Sequence, residues 1–328
     1  MRSRICLAVG IALAVHGASA RGEEQAAEST SPRRESPRAL NGLVFQPSRL
    51  ITGPFSDTSF GMATLFGAGT ASAPRYNLAG NQTGTRDYTM AAYGQALDLH
   101  LRLTPDVAIR LTVEGTIFSG INGKSLLVAG ATAQAGVGAG LTAGRDLSRT
   151  LRLSFVGDVG LAPQYSVLIG NAVVGVIQSR SFDSAGLLST VDRLRAAPGL
   201  SLAWAPSPML GFIAEARYVW TRRVTSDGSD TQSRTAQGVS VGGLAAFDLD
   251  PFITFPIALQ AIYRGDYPVG NSGLSTVNQA GFGVYYSRRV SLALGLEVLW
   301  RHGDIRPGVA PSLKSDAATG ALWLRYYW

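Results

Sequence analysis

Along residues 96–114 two chemistries alternate. Leu97, Leu99, Leu101 and Leu103 are interleaved with Ala96, Asp98, His100 and Arg102. After Thr104-Pro105-Asp106, Val107, Ile109, Leu111 and Val113 are interleaved with Ala108, Arg110, Thr112 and Glu114. A period of two places the apolar set on one face of a strand and the polar set on the other. The same spacing predicts a charged face carrying Arg152, Asp158, Arg193, Arg195, Glu215, Arg217, Glu297, Arg301 and Arg325. Such a set can do two things. Its members can pair with one another and hold a wall rigid, or they can replace part of the hydration shell of an ionic solute. Arginine outnumbers acid in the set, which favours anions and carboxylate- or phosphate-bearing solutes. Asp98 and Arg110 are expected as diagonal partners across the first hairpin.

Acid–base and metal chemistry have little to work with. Beyond His16, near the amino terminus, the histidines are His100 and His302, and the one cysteine is Cys6. His302 with Asp304 reads as a solvated loop pair. Neither Gly-x-Ser-x-Gly nor a His-x-Ser arrangement near these histidines occurs, so the nucleophile–base spacing of hydrolases is missing. Gly123-Lys124-Ser125 lacks the upstream glycine of a phosphate-binding loop. The acids Asp227, Asp230, Asp250 and Asp266 are too dispersed for a calcium site. The chain is therefore expected not to be an enzyme and to carry neither cofactor nor metal.

The elements that must position these residues are strands. Alternation and turn residues predict twelve, over 59–70, 88–103, 107–118, 131–144, 149–161, 192–204, 209–221, 237–247, 252–263, 277–287, 290–301 and 317–328. The segments 59–70 and 131–144 (nearly all Ala, Gly and Thr) carry the weakest pattern, so ten or fourteen strands are the alternatives. Connections alternate between short, such as 104–106, and long, such as 162–191. Roughly 9–11 residues cross a bilayer as a tilted strand, and most of these segments reach that length. After the first twenty residues no apolar run reaches the roughly 18–20 residues of a membrane helix. On the apolar register Tyr218, Trp220 and Trp300 fall at one end of their strands and Trp204 and Trp328 at the other, as two interfacial aromatic belts would.

The amino terminus reads as an export signal over 1–20. Arg2 and Arg4 precede an apolar run from Ile5 to Val15, and Ala18-Ser19-Ala20 offers a cleavage site. Residues 21–57 follow as a disordered or irregular leader, rich at first in Glu, Ser, Pro and Arg, and 58–328 form the strand region. The formal charge of +7 falls when Arg2 and Arg4 are removed. The basic residues sit singly along strands, not in blocks, so nucleic acid is not an expected partner.

The carboxyl terminus joins these readings. Leu322, Leu324, Tyr326 and Trp328 occupy alternate positions up to the last residue. This resembles the C-terminal signal of bacterial outer-membrane β-barrels, which commonly end in an aromatic residue preceded by apolar or aromatic residues at alternate positions. The resemblance implies an all-β, closed antiparallel transmembrane barrel in a Gram-negative outer membrane, with both termini periplasmic. It also implies barrel-assembly machinery, membrane lipid and lipopolysaccharide as partners, and it leaves the oligomeric state open. The expected function is an outer-membrane channel or passive small-solute transporter whose 162–191 loop, bearing Val167, Leu168, Ile169 and Val173 to Ile177, narrows the mouth. The alternative is a closed barrel serving structure, adhesion or assembly through its loops, and behind both stands a lipid-modifying enzyme based on His302.

Overall fold

The computed structural model describes residues 36–76, 82–121, 128–167, 188–227, 230–253, 255–270, 276–305 and 313–328. A short hairpin comes first, β1 (Ala39–Leu40) and β2 (Leu43–Val44). Twelve long strands follow. They are β3 (Ser59–Tyr76), β4 (Gln82–Arg102), β5 (Val107–Ile121), β6 (Val128–Ser148), β7 (Leu151–Val167), β8 (Leu188–Trp204), β9 (Leu210–Asp227), β10 (Asp230–Asp248), β11 (Ile257–Pro268), β12 (Thr276–Tyr286), β13 (Leu292–Ile305) and β14 (Leu313–Tyr327). Each pairs antiparallel with its neighbour in sequence, and β14 pairs with β3 to close the barrel. Closure leaves no sheet edge, the condition for a sheet to stand in lipid.

The alternation of the sequence becomes the two faces of the wall. On β5, Leu111, Val113 and Ile117 lie exposed on the outside while Ala108 is buried inside. On β14, Leu322, Leu324, Tyr326 and Trp328 point outward, and Trp323, Arg325 and Tyr327 are buried inside. The outer surface is thus lined by Leu, Val and Phe, a face suited to acyl chains rather than to water. Aromatic side chains mark both ends of it. Trp204 stacks on Phe212 with ring centroids 5.6 Å apart, and Tyr326 on Trp328 at 6.0 Å, at the rim with the short turns. Trp300, Tyr263 and Tyr267 stand exposed towards the rim with the long connections.

The strand boundaries differ from the sequence expectation in two ways. The strand expected over 252–263 begins at Ile257, because Asp250–Ile253 forms a helical turn, α1. Pro251 suits the first turn of a helix, where its missing N–H costs nothing. Several strands also run further towards the long connections than the apolar pattern does. The β9–β10 pairing, for example, continues out to Asp227 and Asp230, through polar residues that belong above a membrane. Most of the long loop expected over 162–191 lies outside the described residues, apart from its ends in β7 and β8.

The largest departure is the segment expected as an irregular leader. Residues 36–57 are folded, and most of them sit inside the barrel. Asn41 and Gly42 have φ of 51° and 85°, the paired positive values of a two-residue hairpin turn, which Asn-Gly adopts with least strain. Leu40, Leu43, Phe45, Leu50, Ile51 and Phe55 cluster with the inward residues Ala203, Ile213, Leu244, Ala246, Ile262 and Leu299. A Cβ at Gly211 would meet the Leu43 and Phe45 side chains, so a bare backbone there lets the hairpin approach the wall. Each of these large apolar side chains gains roughly 1.5–3 kcal/mol by leaving water, which is why they cannot remain a solvated leader. The turn half of the barrel therefore holds a hydrophobic core.

Candidate functional site

The inward charges meet around this plug and above it. Arg110 on β5 and Arg217 on β9 both pair with Asp158 on β7. Arg217 also grips Glu215, with its Nε 2.7 Å from Oε1. Glu215 Oε2 in turn accepts the backbone N–H of Thr52 at 3.1 Å. Arg325 on β14 pairs with Asp98 on β4. His100 lies between Asp98 (3.2 Å) and Asp57 (3.1 Å). Glu297 accepts a hydrogen bond from Tyr285 at 2.8 Å and the backbone N–H of Arg49 at 3.2 Å. Asp98 and Arg110, expected as a pair, thus find other partners. The closure of β14 on β3 brings Arg325 to Asp98, and Asp158 holds Arg110.

Many of these groups bind the plug as well as one another. Arg152 Nε and the Ser154 hydroxyl donate to the carbonyl of Pro54, at 2.8 and 2.6 Å. Arg264 donates to the carbonyl of Leu50 at 3.0 Å, and Gln260 to that of Gln46 at 3.1 Å. Arg38 donates to the carbonyls of Phe45 and Val290, both at 2.8 Å, and lies 3.7 Å from the centre of the Tyr327 ring. Asp57 is buried; burial opposes its charge, but the His100 hydrogen bond and the guanidinium groups of Arg325 and Arg38 hold its carboxyl below the usual range. The wall thereby satisfies the backbone carbonyls of Gln46, Leu50 and Pro54 and the N–H groups of Arg49 and Thr52, as buried polar groups require.

Between the plug and the loop end lies a cavity of about 350 Å³. Arg49 of the plug contributes to its lining, as do Arg193 and Arg195 of β8, Arg110, Arg217 and Arg264. Arg110, Arg217 and Arg264 have carboxylate partners. Among the described residues no ion pair engages Arg49, Arg193 or Arg195. Glu114 also lines the cavity. Arg301 is on the inward register of β13, exposed beyond Leu299 and nearer the loop end. Arg102 lies at the opposite end, beside the turn, where it donates to the carbonyl of Thr104. The fourteen charged positions therefore divide three ways. Asp98, His100, Arg110, Arg152, Asp158, Glu215, Arg217, Glu297 and Arg325 lie in pairs or on the plug. Arg193, Arg195, Glu114 and Arg301 face open space. Arg102 belongs to the rim.

Sequence reasoning missed Arg49, Asp57 and Arg38 because it placed them in a solvated leader. It also paired His302 with Asp304, whereas His302 Nδ1 lies 2.6 Å from Asp316 Oδ1 on the outer wall. Among the described residues no group of His, Cys, Asp or Glu is arranged to hold a metal ion.

No protein-family model and no curated protein sequence matches the chain. Among solved structures it is similar to the translocator domain of the autotransporter NalP from Neisseria meningitidis, with a TM-score of 0.49 and 9% identity over 83% of this chain and 88% of that one. It is similar also to the Pseudomonas putida toluene transporter TodX, with a TM-score of 0.43 and 9% identity over 89% and 96%. A Pseudomonas aeruginosa FadL homologue gives a TM-score of 0.43 and 11% identity over 84% and 91%. These likenesses concern architecture and transfer no residue or activity. The chain's own geometry shows a closed, twelve-stranded antiparallel β-barrel of the outer-membrane kind, with an apolar exterior, a folded plug in the turn half and a basic vestibule above it.

Proposed function

We propose that the protein is a gated outer-membrane channel for small anionic solutes, entered from the loop side. The observation that carries this reading is the set of guanidinium groups from Arg49, Arg193 and Arg195, which line the cavity of about 350 Å³ and, among the described residues, make no ion pair. A carboxylate or phosphate group meets bidentate donors there and loses little by leaving water. Segment 36–57 closes the opposite side. With the termini periplasmic, the closed side faces the periplasm and the vestibule faces the exterior. Converting both Arg193 and Arg195 to Gln should reduce or reverse the anion preference of the open channel, measured as a zero-current potential across a salt gradient. Fixed charge in a constriction flanked by low-dielectric wall acts on ions with little screening. An unchanged potential in the double variant would remove these two residues from the permeation path.

The second reading, a closed barrel acting through its loops, is favoured by the apolar contact of Leu43, Phe45, Ile51 and Phe55 with the wall. It predicts no conductance in any variant that keeps its fold. Delivery to the membrane is a separate proposal. We assign the outward series Leu322, Leu324, Tyr326 and Trp328 to recognition by the barrel-assembly machinery, because Trp328 is 64% exposed and contributes little to packing within the barrel. Deleting Trp328 should lower the amount of heat-modifiable protein in the outer membrane while leaving the refolded protein's stability nearly unchanged. Normal outer-membrane levels would contradict this assignment.

A further inference from the structure

Gln95 points outward from β4, on the register of Leu97 and Leu99, and is exposed. Around it on β3, β4 and β5 stand Met62, Phe66, Tyr93, Leu97, Val113 and Ile117, all exposed on the outer wall. These neighbours place the amide within the apolar band that meets acyl chains, where a polar group finds no water. Its own contacts leave it half satisfied. Nε2 donates to the Tyr93 hydroxyl at 3.2 Å. One N–H is left over, and among the described residues no donor reaches the side-chain oxygen. The direct partners of Gln95 on the neighbouring strands, Thr64 and Gly115, carry no charge.

The row through Gln95 is also recessed. Thr64 lies on one side of it, and Gly115 and then Ala135 on the other. A Cβ at Gly115 would have no atom within 4 Å, so the wall is open there. The next outward row on one side carries Phe66, Tyr93 and Ile117, and on the other Met62, Leu97 and Val113. A notch therefore lies beside Gln95, between two bulky rows. A second copy of this chain supplies the complement. Two barrels inserted in the same direction are related by a two-fold axis along the membrane normal, which sets each residue opposite its own equivalent at the same depth. Gln95 then meets Gln95. The free N–H and the free oxygen of each amide form two reciprocal hydrogen bonds, and the notch at Gly115 of each copy takes the Gln95 side chain of the other. An acyl chain offers neither donor nor acceptor.

We propose that the outer face of β3, β4 and β5 is an interface between two copies of this chain, centred on Gln95. The interface uses the outer wall alone, so it stands or falls apart from the channel reading. The test is sedimentation equilibrium of the purified protein in density-matched detergent micelles, with heat-modifiability on gels to show that each variant keeps its barrel. A monomer–dimer equilibrium is expected. Gln95→Leu keeps the bulk and removes the amide. It should weaken association about tenfold, the worth of two hydrogen bonds between chains in apolar surroundings. Gly115→Leu should fill the notch and weaken association as well. Val241→Ala, on β10 across the barrel, should leave it unchanged. A protein that stays monomeric at every concentration would overturn the proposal. So would a dimer whose association Gln95→Leu leaves unchanged.

Discussion

Removing residues 36–57 is expected to convert a barrel that passes little or no current into one that conducts in resolvable steps. The plug fills the turn half of the lumen with Leu43, Phe45, Ile51 and Phe55. Nothing else in the described residues crosses the interior there at comparable bulk. The ring of strand pairings is complete without the plug, from β3 through β14 and back, so the wall keeps its backbone hydrogen bonds. Some stability is lost, because the apolar residues facing the plug, among them Ile213, Leu244 and Leu299, would then face water. Heat-modifiability on gels reports whether the shortened protein still forms a barrel. A milder variant separates the two effects. Changing Leu43 and Phe45 together to Asp places two carboxylates in a dry cluster, at a cost that favours release of the segment, while the chain remains full length. Conductance should rise in this variant too. A folded plug-deleted barrel that stays silent in a planar bilayer would leave the closed structural reading as the better account.

Asp158→Asn is expected to be among the most destabilising single changes in the wall. Asp158 is the shared acceptor of Arg110 and Arg217, which approach it from β5 and β9. Without its charge, two guanidinium groups face each other with only Glu215 close to Arg217. Breaking a buried ion pair by removing one partner costs roughly 3–5 kcal/mol. Asp158 keeps 28% side-chain exposure, so the lower end of that range applies. The midpoint of urea unfolding in a lipid or detergent system should fall accordingly. Pairing Asp158→Asn with Arg110→Gln should destabilise by less than the sum of the two single changes, because the second removes part of the repulsion left by the first. A shift within roughly 0.5 kcal/mol for Asp158→Asn, the range of an ordinary surface substitution, would show that the network carries no structural weight.

The barrel was legible because its rule is local. Leu97 to Leu103 and Val107 to Val113 fix two strands and their faces by a period of two, and Thr104-Pro105-Asp106 fixes the turn between them. The final strand could be read in the same way from Leu322 to Trp328. β6, with few large side chains and one of the two weakest patterns, is a strand too and pairs with β5 and β7. The plug's hairpin has an equally local signal. Asn41-Gly42 stands between Ala39-Leu40 and Leu43-Val44-Phe45, a strong short-range hairpin signature. The charged, proline-containing stretch before it has the composition of a disordered or irregular leader and masks that signature. Leu50, Ile51 and Phe55 were the further warning that this segment had a core to join.

The side-chain partnerships could not be read in that way. Asp98 and Arg110 are close in sequence and on neighbouring strands, which made them a natural pair. Their actual partners depend on closure, since Arg325 reaches Asp98 only because the last strand returns to the first. Asp158 bridges β5 and β9 from β7, a relation set by barrel diameter and stagger. The His302–Asp316 contact follows from the β13–β14 register, in which these two residues are direct partners. Asp304, two positions along the same strand, has Lys314 as its backbone partner in that register.

The central claim is that a basic vestibule lies behind a removable plug. It is tested most directly by the zero-current potential of the barrel lacking residues 36–57, recorded from single channels across a potassium chloride gradient. Arg193 and Arg195 remain in that barrel, and the account predicts a potential of the sign that marks chloride as the more permeant ion, moving towards zero when both are changed to Gln. A conducting barrel with cation preference, or one whose potential ignores the two substitutions, would contradict it.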